Sequence, residues 1–482
     1  MMRRPLALLL SLALAFPARA VDLPDLGDVG TSELSTAAEK SIGEEIIRQI
    51  RWHDAAYLDD PEVEEYVNGL GRRLAAASDN PSQTFDFFVV RDPTLNAFAL
   101  PGGYIGVHTG LILAAESESE FASVLGHEIA HVTQRHIAQI LGKQSQAGMA
   151  MLASLLVAIL AARSNSQVSE AAIAAGSAGA LQSQLGYTRD YEREADRVGL
   201  QTLEAAGFDV RGMPAFFERL QRGTRLYESS APAYLRTHPL TFERIADMEN
   251  RVSAMRYRQV PDSSEFGYVR AKLRAQANLP ADVVKDLESR LAQRPADASL
   301  RYGLARALMR AGRLDEAQAA LDKLRGEVAP SAFLDTLAAE ILLARKDAAG
   351  AVRVLGAAQK RFPASRSLLY ALADAQILAG TPAAAASGVR QALNARADDV
   401  RLWQLLSRAN QGLGKRTAQH RAQAEVYVLQ GTLPAAIEQL EIARKEGDGD
   451  FYELSAVDAR LRELKQRYRD EKRDKSRWGG PS

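Results

Sequence analysis

Apolar and polar positions change rhythm several times along the chain. Residues 21–40, VDLPDLGDVGTSELSTAAEK, mix Pro, Gly, Asp and Ser with isolated apolar residues and predict an irregular lead-in. In the mixed region that follows, FDFFVV (85–90) is a β-type run ended by Asp92-Pro93, and NAFALPGGYIGVHTGLI (96–112) predicts two short strands around a Pro-Gly-Gly turn. Ser117-x-x-Glu120 is then a capping box, and Phe121, Leu125, Ile129 and Val132 recur at helical spacing. A helix is predicted from there to about Leu141, stopped by Gly142.

From about residue 265 the pattern becomes Ala, Leu and Arg at helical spacing, and it repeats. Taking Gly312, Lys346-Asp347, Gly380 and Gly414 as turns gives a step of 34 residues each time, shared by Ala305, Ala339, Ala373 and Ser407 and by Ala317, Ala351 and Ala385. A helix-turn-helix period of this length is the mark of tetratricopeptide repeats, whose stacking makes a concave groove for protein segments. The fold class expected is mainly α, with an α+β domain over 41–255 built on a small β-sheet, an all-α repeat solenoid over 265–445 and a charged tail over 446–482. Between Arg460 and Arg477 the tail holds nine Lys/Arg against four Asp/Glu, which predicts a solvated terminal helix.

Composition narrows the function. The chain has 482 residues, 46% of them hydrophobic, which fits about two to four globular domains. Lys+Arg and Asp+Glu both number 60, so no net field draws the molecule to nucleic acid or an anionic membrane. At the N-terminus, two arginines within Met1–Arg4, an apolar run over Leu6–Phe16 and Ala18-Arg19-Ala20 read as a signal peptide over 1–20, cleaved after about Ala20. That apolar run is too short for a bilayer span, which takes roughly 20 residues. Cysteine is absent, as suits an oxidising compartment, and the periplasm is the expected location. A second uncharged run, AGMAMLASLLVAILAA (147–162), is also short of a span. It predicts a buried or lid helix, with membrane-surface contact as the other reading.

Three of the seven histidines fall inside GHEIAHVTQRH (126–136). On a helix His127 and His131 leave one face a turn apart, a spacing that lets two ring nitrogens reach one zinc ion, while Glu128 can act as general base on water. His136 is expected to be ordinary helix surface, because a third histidine ligand of the metzincin kind would need Gly and His where Gln134 and Ile137 stand. In YTRDYEREADRVG (187–199) Glu192 and Asp196 again share a helical face. The glutamate can complete the zinc site and the aspartate can hold the far nitrogen of a ligand histidine, while a solvated acidic face is the competing reading. His108 is expected to be structural.

HEIAH, EREAD about sixty residues on, NAFALPGGYIGVHTGL upstream and THPLTFERI (237–245) downstream together resemble the gluzincin zinc metallopeptidases of the HtpX and CAAX prenyl protease family, over roughly 40–250. The resemblance implies a zinc endopeptidase, one Zn2+ per chain, with His127, His131 and Glu192 as ligands, Glu128 as catalytic base and Asp196 behind a ligand histidine. In the exported branch that carries repeats, the residue at His238 is implied to be a switchable extra ligand that keeps the enzyme latent. An oxyanion-stabilising role and a plain loop histidine before Pro239 compete with that. The same branch implies unfolded or stalled outer-membrane β-barrel proteins as clients and the outer-membrane assembly machinery as a partner of the repeats. A scaffold with a structural or latent zinc site is the alternative.

Overall fold

The computed structural model describes residues 34–142, 189–226 and 233–477. The leader and the apolar run 147–162 lie outside the described residues. Among those described, no helix is long and apolar enough to cross a membrane.

Helix α1 (Thr36–His53) starts inside the stretch expected to be irregular, because Ser35 accepts a capping bond from the Ala38 amide at 3.2 Å. Asp60 caps α2 (Pro61–Ala75) in the same way. Strands β1 (Asp86–Val90), β2 (Ala97–Leu100) and β3 (Tyr104–His108) form a sheet ordered β1-β3-β2, with β1 parallel and β2 antiparallel to β3. Alternate side chains go to opposite sides: Phe88 and Val90 pack on Ile46, Ile47 and Ile50 of α1, while Phe87 and Val89 join the main core with Val63 and Leu74 of α2. Burial on both faces explains why FDFFVV reads as a nearly unbroken apolar run. The short α3 (Thr109–Ala114) leads to α4 (Glu118–Thr133), which packs against α2 and β2.

The helix expected to reach Leu141 breaks earlier. Arg135 takes a left-handed φ of 55°, and a new helix, α5 (His136–Gly142), begins on a different axis. The guanidinium of Arg135 holds that corner by donating to Glu39 at 2.7 Å and to the Leu34 carbonyl at 2.5 Å. Then come α6 (Arg189–Ala205), α7 (Gly212–Leu226), α8 (Ala233–Thr237) and α9 (Phe242–Ala254).

From α10 (Ser264–Ala277) to the helix ending at Arg477 the described chain is helical hairpins. Gly312, Lys346, Gly380 and Gly414 all have positive φ, 64° to 76°, so the 34-residue landmarks are the turns of this array. Ala305, Ala339, Ala373, Ala317, Ala351 and Ala385 are buried where the helices cross. The terminal helix Phe451–Arg477 is less solvated than its charge suggests, since Val457, Leu461 and Leu464 are buried against Leu433–Lys445.

The array rests on the peptidase segment through the start of α2. Residues at the start of α2 meet the first helix of successive hairpins: Lys272 of α10, Arg306 of Ala298–Arg310, Thr336 of Ala332–Ala344, the N-terminus of Arg366–Leu378, and Arg401 of Val400–Gly412. Glu62 is buried there, accepting from Lys272 Nζ at 2.5 Å and from the Thr336 hydroxyl. Lys272 also donates to Asp60 at 2.7 Å, and Arg306 reaches Glu340 at 2.9 Å. Glu65 accepts the amides of Arg366 and Ser367 at 3.1 and 3.0 Å, capping that helix.

Candidate metal centre

Helix α4 is buried along almost its whole length, from Glu118 to Val132, so His127, Glu128 and His131 enter the interior whether or not the interior is polar. Such groups are costly there unless partners meet them. The partners come from α6, brought close by two glycines. A methyl built on Gly126 would lie 3.1 Å from the Gly199 carbonyl oxygen, and one on Gly199 would lie 3.0 Å from His127 Cα. This backbone contact sets Glu192 and Asp196 against the histidines.

His131 Nε2 lies 3.0 Å from His127 Nε2 and 3.4 Å from Glu192 Oε1. His238, just past α8, places Nδ1 3.0 Å from Glu192 Oε1 and 3.4 Å from His127 Nε2, with Nε2 3.5 Å from Glu128 Oε1. One ligand atom from each of His127, His131, Glu192 and His238 falls in a group no wider than 4.8 Å, all four side chains buried. The sequence-derived candidates therefore meet in one place, and Asp196 stands behind them with Oδ1 3.0 Å from His127 Nδ1.

Electrostatics fit a cation at this point. Burial opposes the charged ring of His127, yet the Asp196 and Glu192 carboxylates override it and push His127 up to about 10. Burial would raise Glu192 too, but the surrounding histidines hold it well below the usual carboxylate range. His131 is driven well below its ordinary value, mainly by burial. Neither carboxylate oxygen of Glu128 has a hydrogen-bond donor in bonding geometry, and burial raises its carboxyl above the usual range. Convergent imidazole nitrogens, a buried carboxylate that stays ionised and acceptors lacking donors suit a divalent metal ion.

Two residues outside the expected set hold this geometry. Arg244 of α9 forks onto Asp196 with two bonds of 2.7 Å, reaches Glu192 Oε2 at 2.6 Å and donates to the Pro239 carbonyl at 2.8 Å. It thus ties both carboxylates to the residue after His238. Tyr234 stacks on the His238 ring at 4.6 Å, and its amide bonds the Leu95 carbonyl at 3.1 Å, just before β2. Both lie within or beside the THPLTFERI stretch, but only their long-range contacts reveal them.

The expectation for His136 is corrected. Because the helix breaks at Arg135, the His136 ring turns inward, fully buried, with Nδ1 2.9 Å from His131 Nδ1. His108 is buried at the end of β3, within hydrogen-bond distance of Thr94 Oγ1 at 2.9 Å.

Comparison with known proteins agrees with the geometry. Residues 61–252 match the peptidase family M48, and 275–341 match the tetratricopeptide repeat. The Beta-barrel assembly-enhancing protease of Escherichia coli (strain K12) is 34% identical over 457 residues, 94% of this chain and 93% of that protein. The protein of the same name from Yersinia pestis is 33% identical over 455 residues, 93% of each chain. The Mitochondrial metalloendopeptidase OMA1 of Arabidopsis thaliana is 32% identical over 213 residues, 44% of this chain and 40% of that one. A buried His-His-Glu-His group within the peptidase segment, repeats behind it and similarity along nearly the full length lead to one assignment: this chain is a metalloprotease and belongs to the beta-barrel assembly-enhancing proteases of peptidase family M48.

Proposed function

We propose that the chain is a zinc-dependent endopeptidase of the periplasm that acts in outer-membrane protein assembly and removes β-barrel proteins that stall or misfold. The observation that carries this reading is the buried convergence of His127, His131 and Glu192 beside the buried carboxylate of Glu128. The relatives' names supply the assembly context, and the repeats supply a protein-binding array for clients or the assembly machinery.

His127, His131 and Glu192 would hold the ion, which supplies a polarised carbonyl and a more acidic water. Glu128 would serve as the general base and acid, taking a proton from water and giving it to the leaving amine. Burial raises the proton affinity of Glu128, which favours the first of these transfers, uptake of the proton. Asp196 holds the far nitrogen of His127, and Arg244 keeps Asp196 ionised and in place. Among the described residues β2 pairs with β3 alone and packs beside α4, so an extended substrate that paired along the other edge of β2 would lie next to Glu128.

A second reading is favoured by His238. As a fourth protein ligand it closes the set, and closed four-ligand sites are structural or latent. We take His238 as a latch held by Tyr234, and the repeats as carrying a chaperone-like role while the latch is closed.

The test is cleavage of an unfolded outer-membrane β-barrel protein by wild type, Glu128→Gln and His238→Ala at matched, measured zinc content. The expected outcome is loss in Glu128→Gln by about 10²–10⁴-fold with zinc retained, and a rise in His238→Ala. Equal rates in wild type and Glu128→Gln would sink the enzymatic reading; an unchanged or lower rate in His238→Ala would sink latency.

A further inference from the structure

His131 presents Nε2 to the ligand cluster and turns Nδ1 the other way, onto Nδ1 of His136 at 2.9 Å. Two ring nitrogens at that distance share one proton. A neutral imidazole has a single N–H, so a bare Nε2 on His131 requires the proton on its Nδ1. His136 Nδ1 is then the acceptor, and the proton of His136 sits on Nε2, which lies 3.3 Å from Glu194 Oε2. Glu194 is 41% exposed, so the chain of bonds ends on a solvated carboxylate.

We infer that His136 is a positioning residue: it fixes the tautomer and ring plane of His131 through a relay of two hydrogen bonds, His131 to His136 to Glu194. This rests on the metal-binding reading above.

The surrounding structure holds the relay together. The left-handed turn at Arg135 aims His136 inward, and the Tyr191 ring of α6 stacks on it at 4.5 Å and 18°. The Tyr191 hydroxyl then donates to Gln139 of α5 at 2.9 Å. The two histidine ligands are consequently backed by different chemistry. His127 leans on an anion clamped by arginine, whereas His131 leans on a neutral ring. Supporting groups of this kind set ligand orientation and affinity.

The test uses the full mature chain and Zn2+ alone, with affinity read by competition against a chromophoric chelator. His136→Leu removes the acceptor; His136→Asn returns an amide oxygen near the place of Nδ1. Expected are a loss of about 10–100-fold in zinc affinity for His136→Leu and recovery of most of it in His136→Asn. Wild-type affinity in His136→Leu, or an Asn variant as weak as Leu, would overturn the relay. If His136→Leu does not fold, ¹⁵N-histidine spectra of the zinc-loaded wild type decide instead: His136 protonated on Nε2 supports the relay and His136 protonated on Nδ1 overturns it. Failure of the wild type to bind zinc would be a different result, striking the metal reading itself.

Discussion

Among the described residues, the charges at the peptidase–repeat seam and those at the metal centre are finished differently. At the seam between peptidase and repeats, Glu62, Asp60, Lys272, Arg306, Thr336 and Glu340 answer one another with donors and acceptors, and none of their side-chain atoms is left buried without a bond. At the metal centre, Glu128 is wholly buried and neither of its carboxylate oxygens has a side-chain donor in bonding geometry. A fully answered cluster fixes how two parts fit. Acceptors left open in the interior are costly, and persist where something absent from the protein chain completes them.

The difference can be broken from the seam side first. Lys272→Met should leave Glu62 and Asp60 facing each other without their shared cation, a loss of about 3–5 kcal/mol in unfolding by denaturant, while zinc affinity stays at the wild-type value. A zinc defect of similar size would show that the two clusters act as one. Withdrawing the metal tests the other side. If only the folded state binds the ion, protein at a free-zinc level 100 times the dissociation constant should lose about 2.7 kcal/mol on chelation. The effect should be the same in wild type and Lys272→Met, measured as a shift in thermal midpoint.

A smaller wedge sharpens the geometry. Gly199→Ala puts a methyl group against the backbone of His127, and overpacking of this kind costs about 1–3 kcal/mol. It should weaken zinc binding, whereas an alanine at exposed, unobstructed Gly326 should not. The smallest effect is expected from pH. Burial would raise the Asp60 carboxyl, but Lys272, together with the amide of Val63, holds it below the ordinary value. A depressed carboxyl stabilises above its unfolded value of about 3.9 and ceases to do so as pH falls through the folded one. Since Asn can still cap α2, the stability gap between wild type and Asp60→Asn should be present at neutral pH and close below about pH 4. A gap that persists in acid would remove the charge from the explanation.

Local rules carried much of this in the sequence. HEIAH needs only the pitch of a helix to bring His127 and His131 together, and the repeat turns need only a left-handed residue every 34 positions. What escaped depends on distant chain. His136 looked like surface because the helical pattern runs on through Arg135, whose turn is held by Glu39 and Leu34 far upstream. Arg244 is one arginine among many until Asp196 is seen opposite it, and Gly126 and Gly199 carry no signal until the two helices cross. The seam was invisible for the same reason: Glu62 meets residues more than two hundred positions away.

Tandem repeats are commonly gained and lost as whole units, because each touches only its neighbours. Here five successive hairpins converge like spokes on the segment Asp59–Glu65 at the start of α2, each giving that hub a different donor. Deleting or duplicating one hairpin would put the wrong spoke against every contact beyond it. The order of these five hairpins is therefore tied to the peptidase segment they touch, and this part of the array should resist the drift in copy number open to free-standing ones.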